Sequence, residues 1–91
     1  MRHTSDAERK KLLRRLKIIE GQVRGLSMMV AKDAYCIDVI TQTSAVKQAL
    51  STVEDALLEN HLHGCVHRQM TSGETKKAVG EVLKVYKLKR K

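Results

Sequence analysis

Phenylalanine, tryptophan and proline are absent from the 91 residues, and Tyr35 and Tyr86 are the two aromatic side chains. Without Phe or Trp, any core must be built from Leu, Ile, Val, Ala and Met. A single domain this small buries only about 60–70% of the surface its unfolded chain exposes. A core that thin favours oligomerisation as a further source of buried surface. The lack of proline removes the strongest helix breaker, while Lys, Glu, Leu and Ala are abundant. An all-α fold follows. No apolar run approaches the ~20 residues of a membrane span, and residues 1–17 are too polar and basic for a secretory leader. These absences point to a cytoplasmic protein, in which the two cysteines are thiols rather than a structural disulfide. A glycine-rich phosphate loop and a helix-turn-helix signature are missing as well. No orienting third group accompanies the Cys and His residues, which argues against an enzyme.

What the chain has in excess is positive charge: 18 Lys and Arg against 10 Asp and Glu, a net +8. A compact basic domain of this kind most often meets nucleic acid. The basic residues concentrate early, at Arg9, Lys10, Lys11, Arg14, Arg15 and Lys17, on the face of a helix whose apolar seam is Leu12, Leu16, Ile19, Val23, Leu26 and Val30. That seam steps by four and three and calls for a partner helix. Ser5 to Glu8 fits a capping box at its start. Gly21 and Gly25, four apart within the seam, predict a close backbone approach to a neighbour.

Lys32-Asp33-Ala34 reads as a turn, with Asp33 as the cap of a second helix from about Ala34 to about Val66. Its stripe is Val39, Val46, Leu50, Val53 and Leu57. Thr71-Ser72-Gly73 breaks the chain before a third amphipathic helix, Glu74 to about Leu88, carrying Val79, Val82, Leu83 and Tyr86. Residues 1–5 and 87–91 read as flexible tails on one domain, 1–91.

Three of the four histidines fall within "ENHLHGCVHRQ", residues 59–69, together with Cys65. On a helical wheel of roughly 100° per residue, His61 and Cys65 lie on the shoulder of the apolar stripe, and so does Cys36. His63 and His67 lie on the opposite side, towards solvent. Cys36 and His61 are nevertheless about 37 Å apart along a continuous helix. An antiparallel copy of the same helix, crossing near Ala49 or Leu50, would bring Cys36 of one protomer beside His61 and Cys65 of the other. A two-fold dimer would then carry two identical bridging sites. Two thiolates and one imidazole make a soft set that suits three-coordinate Cu(I), whereas structural Zn²⁺ prefers four ligands. Inert packing of free cysteines is the alternative.

The chain resembles the CsoR-type repressors, metal- and stress-responsive bacterial regulators, over nearly its whole length. "RRLKIIEGQVRGL" (14–26) is similar to the family's first-helix signature and "DAYCIDVITQTSAVKQAL" (33–50) to its second-helix opening. "ENHLHGC" (59–65) resembles the metal half-site. The resemblance implies an antiparallel helical dimer pairing into a flat tetramer, and Cu(I) ligands at Cys36, His61 and Cys65 that span two subunits. It implies operator binding led by Arg15, with Arg14, Lys10, Lys11 and Lys17 as supporting phosphate contacts. Tyr35 and Glu81 match the residues that in the copper branch hydrogen-bond outward from the ligand histidine. Cys65 argues against the nickel/cobalt and formaldehyde branches, and His61 against the persulfide branch. His3 departs from the copper pattern and resembles a nickel-sensor histidine, one residue further from the cysteine.

These readings imply a copper(I)-responsive repressor whose DNA-bound form is metal-free, with a copper chaperone as a candidate metal donor. A nickel/cobalt-responsive repressor of the same family, a constitutive architectural DNA-binding bundle and a copper buffer are the alternatives.

Overall fold

The computed structural model describes residues 5–66, 68 and 71–90, without the side chains of Cys65, Val66 and Arg90. Helix α1 spans Asp6–Ala31 and starts where the capping box predicts. Ser5 Oγ accepts the Glu8 backbone N–H at 3.2 Å, which satisfies one of the donors a helix start leaves open. Asp6 and Glu8 place negative charge at the positive end of the helix dipole.

The turn after α1 differs from expectation. Asp33 does not cap the second helix; it adopts a left-handed φ of 57°. Its N–H donates to the Val30 carbonyl at 3.1 Å, and the Ala34 N–H donates to the Met29 carbonyl at 2.9 Å. These two bonds form a Schellman motif with Asp33 where glycine usually sits. Aspartate tolerates left-handed backbone better than most residues, as well as favouring helix caps. Tyr35 takes the N-cap position of α2 instead, without a side-chain cap bond.

Helix α2 runs unbroken over Cys36–His61. It does not continue as α-helix to Val66, because Leu62–Val66 widens into a π-helical turn. Gly73, at φ +88°, then reverses the chain in a conformation that side chains rarely adopt. Helix α3 spans Thr75–Arg90. The expected flexible tail from residue 87 is thus the last turn of α3, at least through Arg90, while residues 1–4 and 91 lie outside the described residues.

Helices α1 and α2 pack through Leu12, Ile19, Val46 and Val53, with Leu26, Ala49 and Ala56 half-buried around them. The seam of α1 therefore splits. Leu12, Ile19 and Leu26 face α2, while Leu16, Val23 and Val30 remain exposed. Leu50 and Leu57 remain exposed on α2 in the same way. Gly21 and Gly25 do not mark a close approach among the described residues. A Cβ at Gly25 meets nothing within 4 Å, and one at Gly21 meets only Arg24 Nη2 at 3.7 Å.

The molecule measures 55 × 29 × 13 Å. Its thickness is little more than one helix diameter of about 10–12 Å, so the helices lie in a single layer. The radius of gyration is 17.1 Å, against about 12 Å for a compact domain of this length. The accessible surface is 7380 Å², about 2,000 Å² above the roughly 5,400 Å² expected of a folded monomer of this mass. A single layer cannot cover both of its faces.

Candidate functional site

Cys36 is the first residue of α2 and His61 the last, so the helix itself holds them apart. Twenty-five positions at 1.5 Å each separate their backbones by about 37 Å. Cys36 is an exposed free thiol. Among the described residues, no three His, Cys, Asp or Glu side chains converge on one point. One protomer therefore does not assemble the three expected donors from its described residues.

The far end of α2 does assemble part of a site. His61 Nε2 lies 3.5 Å from Glu81 Oε2, with the two side chains 30% and 40% exposed. The contact joins the last residue of α2 to the second turn of α3 across the π-helical turn. Such turns widen a helix locally and occur frequently at functional sites. The wheel placement of Cys65 assumed α-helical rotation, which stops at His61; Cys65 belongs to the π turn, and its side chain lies outside the described residues. His3 and His67 lie outside them too. His63 is 81% exposed and approaches Glu59 at 3.9 Å, which matches the solvent-facing position expected of it.

Tyr35 is 68% exposed and precedes Cys36, at the opposite end of α2 from His61. The chain brings Glu81 to His61 but does not bring Tyr35 there. Tyr35 travels with Cys36, so a second copy that delivered one would deliver the other.

Lys10, Lys11, Arg14, Arg15 and Lys17 are all exposed on α1. Lys10, Arg14 and Lys17 lie opposite the Leu12–Ile19 face, as the 100° rotation requires. Arg15 differs, since it lines a shallow groove with Ile18, Ile19, Gln22, Ala49 and Thr52. Asp6 binds Arg9 at 2.9 Å and Glu20 binds Arg24 at 3.0 Å. No such ion pair to a described residue ties the other five, so their charge is available to an outside anion.

One contact had no signal in the sequence. Lys89, near the end of α3, is only 22% exposed and reaches α2. Its Nζ lies 2.9 Å from Asp55 Oδ1 and 3.7 Å from Glu54 Oε1. It also donates to Ser51 Oγ at 3.1 Å and approaches the Ser51 carbonyl at 3.5 Å. The hydrogen bond to Asp55 foremost, opposed by burial and aided by the charges of Asp55 and Glu54, raises the Lys89 pKa above its ordinary value. Nothing in "KLKRK" distinguishes this lysine from its neighbours, because its partners lie 34 to 38 positions away.

Residues 8–87 match a family described as metal-sensitive transcriptional repressors. The chain is 45% identical over 87 residues to the copper-sensing transcriptional repressor CsoR of Bacillus subtilis, covering 96% of this chain and 86% of that protein. It is 52% identical over 60 residues to the copper-sensing repressor RicR of Mycobacterium tuberculosis, covering 66% of this chain and 62% of that one. Its fold is similar to the crystal structure of the copper-sensing repressor CsoR with Cu(I) from Geobacillus thermodenitrificans. That match has a TM-score of 0.91 and 38% identity, over 100% of this chain and 95% of the other. The nickel-responsive regulator InrS is similar at a TM-score of 0.74 and 30% identity, over 96% and 94% of the two chains.

Proposed function

We propose that this chain, which belongs to the family of metal-sensitive transcriptional repressors, is a repressor responsive to copper(I). The metal-free form binds operator DNA, and Cu(I) at a subunit-bridging site of Cys36, His61 and Cys65 releases it. The reach of α2 supports the bridging geometry: Cys36 and His61 lie at its two ends, and an antiparallel second copy would bring one beside the other. The similarity to proteins named as copper sensors supports the choice of metal.

The donors fit such an ion chemically. Cys36 is a free thiol, and His61 turns Nε2 to Glu81, which leaves Nδ1 to donate its lone pair. Cu(I) supplies a soft acceptor that two thiolates and an imidazole satisfy. Glu81 fixes the tautomer and orientation of the imidazole, and Tyr35 arrives beside it from the other protomer with Cys36. Because Glu81 belongs to α3, a change in the seating of His61 is passed to that helix. Arg15, assisted by Arg14, Lys10, Lys11 and Lys17, contacts the DNA backbone. Release requires that copper bind the DNA-free state more tightly, by at least the lost DNA affinity.

On this reading the protein acts in the cytoplasm as a dimer of antiparallel dimers and receives its metal from a copper chaperone. No helix of the described residues is long and apolar enough to cross a membrane.

The deciding experiment is an anaerobic titration of Cu(I), Ni(II) and Zn(II) into the protein on labelled upstream DNA. Release by Cu(I) alone is expected. Release by nickel in preference to copper would move the chain to the nickel branch, towards the likeness with the nickel-responsive regulator. DNA affinity indifferent to all three metals would leave a constitutive architectural bundle.

A further inference from the structure

Among the described residues, polar contacts at two levels tie α3 to α2 along an antiparallel path. Near its start Glu81 faces His61, and near its end Lys89 meets Ser51, Glu54 and Asp55. The two fastenings are eight residues apart on α3, about 12 Å along its axis. Between and around them the apolar contribution is small. Among the described residues of α3, Ala78 alone is fully buried; Val82 and Val85 are half-buried, while Val79, Leu83 and Tyr86 are exposed. A helix attached by few apolar contacts slides and frays readily, so a half-buried ammonium with several acceptors counts for more here than on a rigid surface.

The geometry points to Lys89 as the positioning residue of α3: its clamp on Ser51, Glu54 and Asp55 fixes the register in which Glu81 faces His61. A helix pinned at its far end can only tilt about that pin when the near end is pulled. A helix unpinned there follows Glu81 without changing its angle to α2. Lys89 thereby turns a small displacement at His61 into a reorientation of α3, without touching metal or DNA. This role rests on the copper-responsive reading for its consequence but not for its geometry, and the test separates the two.

Four variants are compared with wild type: Lys89→Met and Asp55→Asn, which break the clamp; Lys89→Arg, which keeps charge and donors; and Lys87→Met, which removes one charge from an exposed neighbour. The first readout is amide hydrogen exchange of the metal-free protein. Exchange along residues 79–88 should rise roughly tenfold or more in Lys89→Met and Asp55→Asn, while amides around Leu12, Ile19, Val46 and Val53 stay protected. Lys89→Arg and Lys87→Met should resemble wild type. The second readout is Cu(I) uptake beside DNA release. Uptake should persist in every variant, and release should weaken by about threefold or more in the clamp variants only. Unchanged exchange in α3 of Lys89→Met, or a change equal to that of Lys87→Met, would overturn the assignment. Wild type that takes up copper without releasing DNA would instead overturn the copper-responsive reading, and the exchange data would still decide whether Lys89 sets the register.

Discussion

Replacing Glu81 with Ala separates holding a metal from answering to it. The variant leaves Cys36, His61 and Cys65 in place and removes only the carboxylate beside Nε2. Loss of a partner of this kind typically costs 10–100-fold in affinity, about 1.4–2.7 kcal/mol, which a thiolate site tolerates. Glu81→Ala should bind DNA like wild type without copper, still take up Cu(I), and release DNA poorly. Release at wild-type strength in a fluorescence-anisotropy titration would mean that the signal leaves His61 by another contact. Lys89 makes a separate prediction, about pH. Its folded-state pKa is raised, so its contribution to stability is fully present below 10.5 and is lost as the pH climbs through the raised value. The difference in thermal midpoint between wild type and Lys89→Met should hold constant from about pH 6 to 9 and close in more alkaline solution. A gap that already changes between about pH 6 and 8 would point to a different titrating group.

The turn between α1 and α2 is tested through Asp33. A β-branched residue at φ 57° is strained, so Asp33→Val should destabilise by about 1–2 kcal/mol, whereas Asp33→Gly should be neutral or stabilising. Equal urea midpoints for the two variants would contradict the left-handed cap. This turn also marks where the sequence stops being legible. Ser5 and Gly73 were readable because a capping hydroxyl and a left-handed glycine act within a few residues of themselves. Asp33 was misread because aspartate suits both a helix start and a left-handed turn, and composition does not choose between them. The π-helical turn was missed because the i,i+4 spacing of His61 and Cys65 looks the same whether the backbone is wound as α or as π. The apolar seam of α1 was read as one stripe since periodicity marks which residues want cover, not which neighbour supplies it. Leu12, Ile19 and Leu26 find theirs in α2, and Leu16, Val23 and Val30 remain exposed among the described residues. Of the site, the pairing of His61 with Glu81 was legible through resemblance, while the Lys89 clamp depends on two helices meeting and left no trace in either.

A layer 13 Å thick with about 2,000 Å² of excess surface should not persist as a lone protomer. Its thermal midpoint should therefore rise with protein concentration, and a midpoint constant over a hundredfold dilution would refute an obligate assembly. Mixing variants tests the arrangement of that assembly. Cys36→Ala protein and His61→Ala/Cys65→Ala protein should each bind Cu(I) weakly, and heterodimers of the two should regain one intact site of two. No regained site would refute the bridging geometry.

The length of α2 has a further consequence. On the proposed bridging site, a rigid rod with one donor at its first residue and another at its last measures whether a second rod lies alongside it. Copper occupancy then depends on two quantities, the free metal and the number of repressor molecules available to pair. A cell that makes little of the protein holds more of it unpaired, and unpaired chains lack a complete site. Such a cell should need more copper to reach the same fractional response, so the set point of the sensor is tied to its own dosage.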